Sequence, residues 1–152
     1  MTTYTTSLKI NQIANGDQSG IWGTTTNTNW DLIEEAVAGV ESITMLNANY
    51  TLSNLNGQSD EARNMVILAG GTNSAIYQII APLVTKLYLV VNNTVGGFAI
   101  TFGGSSGSIV TIPNGYSSFV YCNGSNFYAA PSSCIGNFNT TGNLSVDGDA
   151  SV

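Results

Sequence analysis

No histidine occurs among the 152 residues, and only three side chains, Lys9, Arg63 and Lys86, are basic. The first absence removes the commonest general base and the commonest metal ligand, and with them every histidine-based catalytic triad within the chain. The second leaves no electrostatic footprint for nucleic acid or for an anionic membrane surface, since 9 acidic residues bring the net charge to −6. Cysteine is also scarce. Cys122 and Cys134, without a histidine, cannot complete a zinc site within one chain. They read as two free, buried thiols, with a disulfide closing a short loop as the alternative. Long hydrophobic runs are missing as well: residues 75–91 are interrupted by Gln78, Pro82, Thr85 and Lys86, too often for a membrane span. Residues 1–6 have neither the basic nor the apolar segment of a secretory signal.

What remains is polar but uncharged. Asn, Thr, Ser and Gly make up nearly half of the chain, while 43% of residues are hydrophobic, which argues against disorder. Such a composition suits strands and tight turns better than helices. The length fits one domain, or one domain with an appendage.

Residues 1–30 read as an N-terminal arm and attachment loop, weakly alternating over 3–10 and then dense in turn formers from Asn15 to Asn29. A short helix is predicted over 31–42, with Asn29 as N-cap and Asp31, Glu34 and Glu35 in its first turns. Trp30, Ile33, Val37 and Val40 recur at spacings of 3, 4 and 3, one narrow apolar stripe that packs either on the domain's own sheet or on symmetry mates. Residues 43–136 read as an antiparallel β-domain. Its strand candidates are 43–52, 64–68, 75–81, 85–92, 98–102, 108–112, 118–122 and 127–130, each β-branched or aromatic and bounded by turn residues. The stretch around Leu87, Leu89 and Val91 is apolar on both faces and is expected to lie centrally, with both faces covered. Turn signals every 8–12 residues, with hairpins expected at 95–97, 103–107, 113–115 and 123–126, point to a small antiparallel sandwich or barrel. Over 137–152 the pairs Gly142/Gly148, Leu144/Ala150 and Val146/Val152 are each six apart. A repeat with one apolar row must be covered by further repeats or by other chains, so this segment reads as the start of a repetitive β shaft.

Three of these stretches carry a resemblance. Gly16-Asp17, Ser19-Gly20, Trp22-Gly23, the Asn27/Asn29 step and the helix after it resemble a segment near the N-terminus of bacteriophage tail fibre and tailspike proteins. Residues 109–116 and 120–128 resemble the closing hairpins of the small β-domain in those proteins, and the terminal repeat resembles the start of a fibre shaft. The resemblance implies a homotrimeric virion appendage, synthesised in the host bacterial cytoplasm, whose N-terminal part attaches to a tail adaptor, nozzle or baseplate protein. The chain departs from a complete fibre in having no long shaft and no receptor-binding or glycan-degrading domain.

Catalysis is not expected. The carboxylate pairs Glu34–Glu35, Asp60–Glu61 and Asp147–Asp149 lie in a helix, a turn and the repeat, none in the context of an apolar cleft. Asp60–Glu61 reads as a solvated turn beside Arg63. Calcium at Asp147 and Asp149 is the weaker alternative to solvated carboxylates. The glycines carry no nucleotide signature. The expectation is therefore a mainly β homotrimer with no cofactor, no metal, no nucleic acid and no membrane insertion. Ile10, Ile21 and Trp22 would contact the tail partner, and Trp30, Ile33, Val37, Val40, Leu144, Val146 and Val152 the trimer mates. A self-contained head decoration protein, or a small receptor-binding virion protein using the loops 103–107 and 123–126, is the alternative.

Overall fold

The computed structural model describes residues 3–130. The repeat residues Leu144, Val146 and Val152, and with them Cys134, Asp147 and Asp149, lie outside that range. The chain opens with a small antiparallel pair, β1 (Thr3–Tyr4) and β2 (Asn11–Gln12), followed by helix α1 (Trp22–Ala38). Then come β3 (Val40–Leu46), β4 (Tyr50–Thr51), a 3-10 turn (Glu61–Arg63), β5 (Val66–Thr72), β6 (Tyr77–Ile80), β7 (Lys86–Asn92), β8 (Ile100–Gly103), β9 (Ile109–Ile112), β10 (Ser117–Cys122) and β11 (Phe127–Ala130).

The strands fall where β-branched and aromatic residues alternate, but they do not pair as hairpins throughout. A five-stranded sheet has the order β11-β10-β7-β5-β3 and a four-stranded sheet the order β4-β6-β8-β9. From β3 to β8 the chain enters the two sheets alternately. Each strand therefore lies beside the one two places earlier and runs the same way: β3, β5 and β7 are parallel in one sheet, and β4, β6 and β8 in the other. Three stacked coils result. Only the closing strands reverse, β9 on β8, β10 on β7 and β11 on β10. The expected antiparallel sandwich or barrel is thus corrected to a mixed parallel and antiparallel arrangement with open sheet edges. The expected extended N-terminal arm is replaced, within the described residues, by the β1–β2 pair, which Asn29 of α1 ties down. The Asn29 carboxamide accepts from the Asn11 N–H (3.1 Å) and donates to the Asn11 carbonyl (2.9 Å).

The reason lies at the corners. The turns at 103–107 and 123–126 do close hairpins, but those at 95–97 and 113–115 carry the chain from one sheet to the other. At the first of these corners successive coils lie backbone on backbone. Asn73 N–H donates to Val95 O (2.9 Å), and Val95 N–H donates to Gly71 O (2.7 Å). Gly71 (φ +89°) and Gly96 (φ +118°) both adopt left-handed backbone, and a Cβ on either would strike the coil before, at Met45 and at the Asn73 carbonyl. Asn92, fully buried, pins the same corner. Its amide donates to the carbonyls of Phe98 (3.1 Å) and Ile112 (3.0 Å), and its oxygen accepts from the N–H and hydroxyl of Thr94.

Between the sheets Tyr88, Phe102 and Phe127 meet edge to face at 5.1 and 5.7 Å, an aromatic spine surrounded by Ile43, Met45, Ile67, Ile79, Val90 and Ile100. The central position expected for residues 85–92 is found, since β7 is the middle strand of five, but the cover expected over both its faces is not: the outer side stays partly open, with Leu87 43% exposed. The helix is longer and earlier than the predicted 31–42. It begins at Trp22, without a side-chain cap on Ile21, and Asn29 lies inside it. Residues 24–29 read as loop because Thr and Asn form helices weakly, but the Asn29–Asn11 clasp holds them in helical register.

Gly96→Ala is expected to lower unfolding stability by about 2–4 kcal/mol, because the methyl meets both an unfavourable φ and a backbone carbonyl. Gly97→Ala, also at positive φ but facing open space, is expected to lose only about 1 kcal/mol. Urea titration followed by circular dichroism compares them, and equal losses would refute coil stacking as the constraint.

Candidate interaction surface

Helix α1 divides its side chains unequally. Leu32 is buried, and Glu35 is drawn toward the 3-10 turn, where its Oε1 accepts from Ser59 Oγ (3.1 Å), Asp60 N (3.2 Å) and Asn64 Nδ2 (3.2 Å). That contact fixes the helix rotation. It leaves the predicted stripe outside: Trp30 is 64% exposed, Val37 67% and Val40 56%, with Ile33 half-buried. Trp22 (63%) belongs to the same helical face by its spacing from Trp30, and Ile21 is exposed just before it. Ile10 is only part-buried, beside the β1–β2 pair. Of the two readings of the stripe, packing on the domain's own sheet is therefore overturned. The apolar side chains face solvent in the single chain.

Beneath the helix sits a charged cluster that the sequence hid. Asp60 and Arg63, expected in a solvated turn, are both buried. Arg63 Nη2 bonds Asp60 Oδ2 at 2.9 Å and the carbonyls of Leu55 (3.0 Å) and Gln58 (2.8 Å), and its Nε faces Glu35 Oε2 at 3.8 Å. Asp60 also caps the 3-10 turn through the Arg63 N–H (2.7 Å). The pairing with Arg63 was legible from the three-residue spacing, whereas the burial was not. Glu61 turns away to accept from Tyr50 (2.5 Å) and Ser53 N (2.7 Å). Burial raises its pKa, but those two donors outweigh it and leave the carboxyl below its ordinary range. The same bond, with burial, pushes the Tyr50 phenol up to about 12.

Lys86 closes the cluster from β7. Its Nζ donates to Asn64 O (2.9 Å) and lies 4.0 Å over the Tyr88 ring. Burial brings its pKa down to about 8, against the pull of Asp60 and with the push of Arg63. Tyr88, whose hydroxyl donates to Ala62 O (3.1 Å), is raised by burial. Lys86 pairs in register with Cys122, a buried thiol.

These groups are tied to one another and to backbone, so the cluster reads as a buried ionic joint between helix, turn and sheet. Among the described residues no three Cys, Asp or Glu side chains gather as a metal site, and no helix is long and apolar enough to cross a membrane. An open groove of about 330 Å³ at the end of the four-stranded sheet, bounded by Leu52, Ile80, Pro82 and Leu83, has no charged lining residue. The chain matches no protein-family model, no curated protein and no solved structure in the comparisons made.

Arg63→Met is expected to destabilise the fold by about 3–5 kcal/mol, because it strands Asp60 as a buried, unpaired charge. Lys86 sets a pH signature. Its folded pKa lies below the value near 10.5 of an unfolded chain, so the unfolded state holds more protons between about pH 8 and 10. Stability should therefore rise with pH through that window, by up to ~2 kcal/mol. Above about pH 10 it should fall, as tyrosines ionise more readily in the unfolded chain than Tyr50 and Tyr88 do in the folded one. Lys86→Met should flatten the rise, and denaturant midpoints taken at half-unit pH steps measure it.

Proposed function

We propose that the chain is the N-terminal, tail-attaching domain of a homotrimeric bacteriophage tail fibre or tailspike, a virion structural protein without catalytic activity. The observation that carries this reading is the helix face left uncovered. Trp22, Trp30, Ile33 and Val37 lie on one side of α1 with Val40 just beyond, and all but the half-buried Ile33 turn most of their surface to water. Large apolar side chains so placed mark an interaction site. Trp30, Ile33, Val37 and Val40 meet trimer mates, while Trp22, Ile21 and Ile10 meet the tail adaptor, nozzle or baseplate protein. The absence of histidine, the scarcity of basic residues and the resemblance of residues 15–40 to fibre attachment segments support the same reading. The three coils, each unable to bury its faces alone, suit a chain that prolongs itself into a shaft.

Light scattering of the purified chain at micromolar concentration should give three times the 15.9 kDa of one copy. Trp30→Ser with Val37→Ser should shift it toward monomer with little change in far-ultraviolet circular dichroism, since both side chains lie outside the core. A wild-type monomer at that concentration overturns the trimeric reading.

A further inference from the structure

The two sheets differ in what they present to the outside. On the four-stranded sheet the outward row Gln78–Thr101–Thr111 is polar, and the row beside it, Ile80–Gly103–Ile109, carries only two isoleucines. On the five-stranded sheet register aligns Val40, Val66, Leu89, Phe119 and Ala130 in one outward row across all five strands. Leu68 and Val91 flank it on one side. On the other, Leu87, Tyr121 and Tyr128 form a second row, with the two tyrosine rings stacked at 5.2 Å. Phe119 and Tyr121 remain 43% and 42% exposed although they sit within a sheet.

Charge is absent from this face. Between residues 64 and 130 Lys86 is the only charged side chain, and it is turned to Asn64 and Tyr88 on the inner side. A domain surface is ordinarily about a quarter charged or more. The acidic residues of the described part lie at positions 17–61, and Glu41, which belongs to this sheet, shares the inward register of the buried Ile67. Two copies of a chain with net charge −6 can approach without like-charge repulsion where neither carries charge, and this face offers that.

We infer that the outer face of the five-stranded sheet is an interface with further copies of this chain, the three sheets facing one another about the threefold axis through Leu89, Phe119, Tyr121 and Tyr128. The inference rests on the self-association proposed above and names a surface that the helix stripe does not include, apart from Val40 at its margin.

The test uses the full chain. Phe119→Arg with Tyr121→Arg places two charges on the face without touching the core, and light scattering should show the mass falling about threefold to one copy. Phe119→Leu should keep the wild-type mass. Tyrosine nitration of the wild type, mapped by mass spectrometry, provides a readout independent of any variant's folding. Tyr121 and Tyr128 should be protected as concentration rises into the assembled range, while Tyr116, exposed on the corner before β10, stays reactive. An assembled wild type whose arginine variant keeps its mass, or whose Tyr121 and Tyr128 nitrate as fast as Tyr116, overturns this inference and leaves self-association standing. A wild type that scatters as a monomer overturns both.

Discussion

The contact on which the rest depends is backbone against backbone where the chain leaves the five-stranded sheet. There Gly71 lies on Met45 and Gly96 on Asn73, too close for a Cβ between them. This proximity lets each coil stack directly on the one before, so β3, β5 and β7 share a register, as do β4, β6 and β8. Register in turn sorts the side chains. Ile67, Tyr88 and Val90 go inward to the aromatic spine, and Val66, Leu87 and Leu89 go outward. A one-residue slip at either glycine corner would exchange those two sets. The asymmetry between the two outer faces is therefore a consequence of corner packing as much as of composition.

The ionic joint performs a different task. Parallel coils leave the N-terminal ends of β5 and β7 to be closed by whatever precedes them, here the 3-10 turn and α1. Asp60, Arg63 and Glu35 bond the turn to the helix, and Lys86 bonds the turn to β7 through Asn64 O. Buried ion pairs add little net stability compared with hydrocarbon, but they penalise misplacement heavily. That property suits a joint whose misrotation would turn the Trp30–Val37 stripe into the domain and leave Leu32 outside.

The location of most strands was legible in the sequence, and their partners were not. All eight stretches chosen for β-branched and aromatic content contain strands, with 43–52 divided between β3 and β4. Asn-Gly and Gly-Gly pairs announce that the chain turns, but not which sheet it enters next. The Pro113–Gly115 corner and the Asn123–Asn126 hairpin both carry an Asn-Gly pair, yet the first takes the chain to the other sheet and the second keeps it in the same one. The helix was half legible. Its apolar stripe stood out at 30–40, while its first two turns were masked by Thr24, Thr25, Thr26 and Asn27, whose weak propensity is overcome by the Asn29 clasp on Asn11. The candidate surface was legible in its helical part alone. The two-sided apolarity of Leu87 to Val91 was visible, but joining it to Phe119 and Tyr121 requires the pairing of β7 with β10, which no local pattern states.

The distribution of charge links fold and association. Apart from the inward-facing Lys86, every charged residue of the described part precedes residue 64, so the polar side chains of the second half are uncharged, chiefly Asn, Thr and Ser. Uncharged polar groups hold water less tightly than carboxylates do, and burying them beside a neighbour's hydrocarbon demands less desolvation. Of the described carboxylates, Asp31, Glu34 and Glu35 lie on the helix and Asp60 and Glu61 at the 3-10 turn, with Asp17 ahead of the helix and Glu41 on β3. In the trimer proposed above, copies can meet over the uncharged sheet face without like-charge repulsion, whereas the apolar stripe of α1 has to carry Asp31 and Glu34 at the rim of its contact, where water and salt screen them.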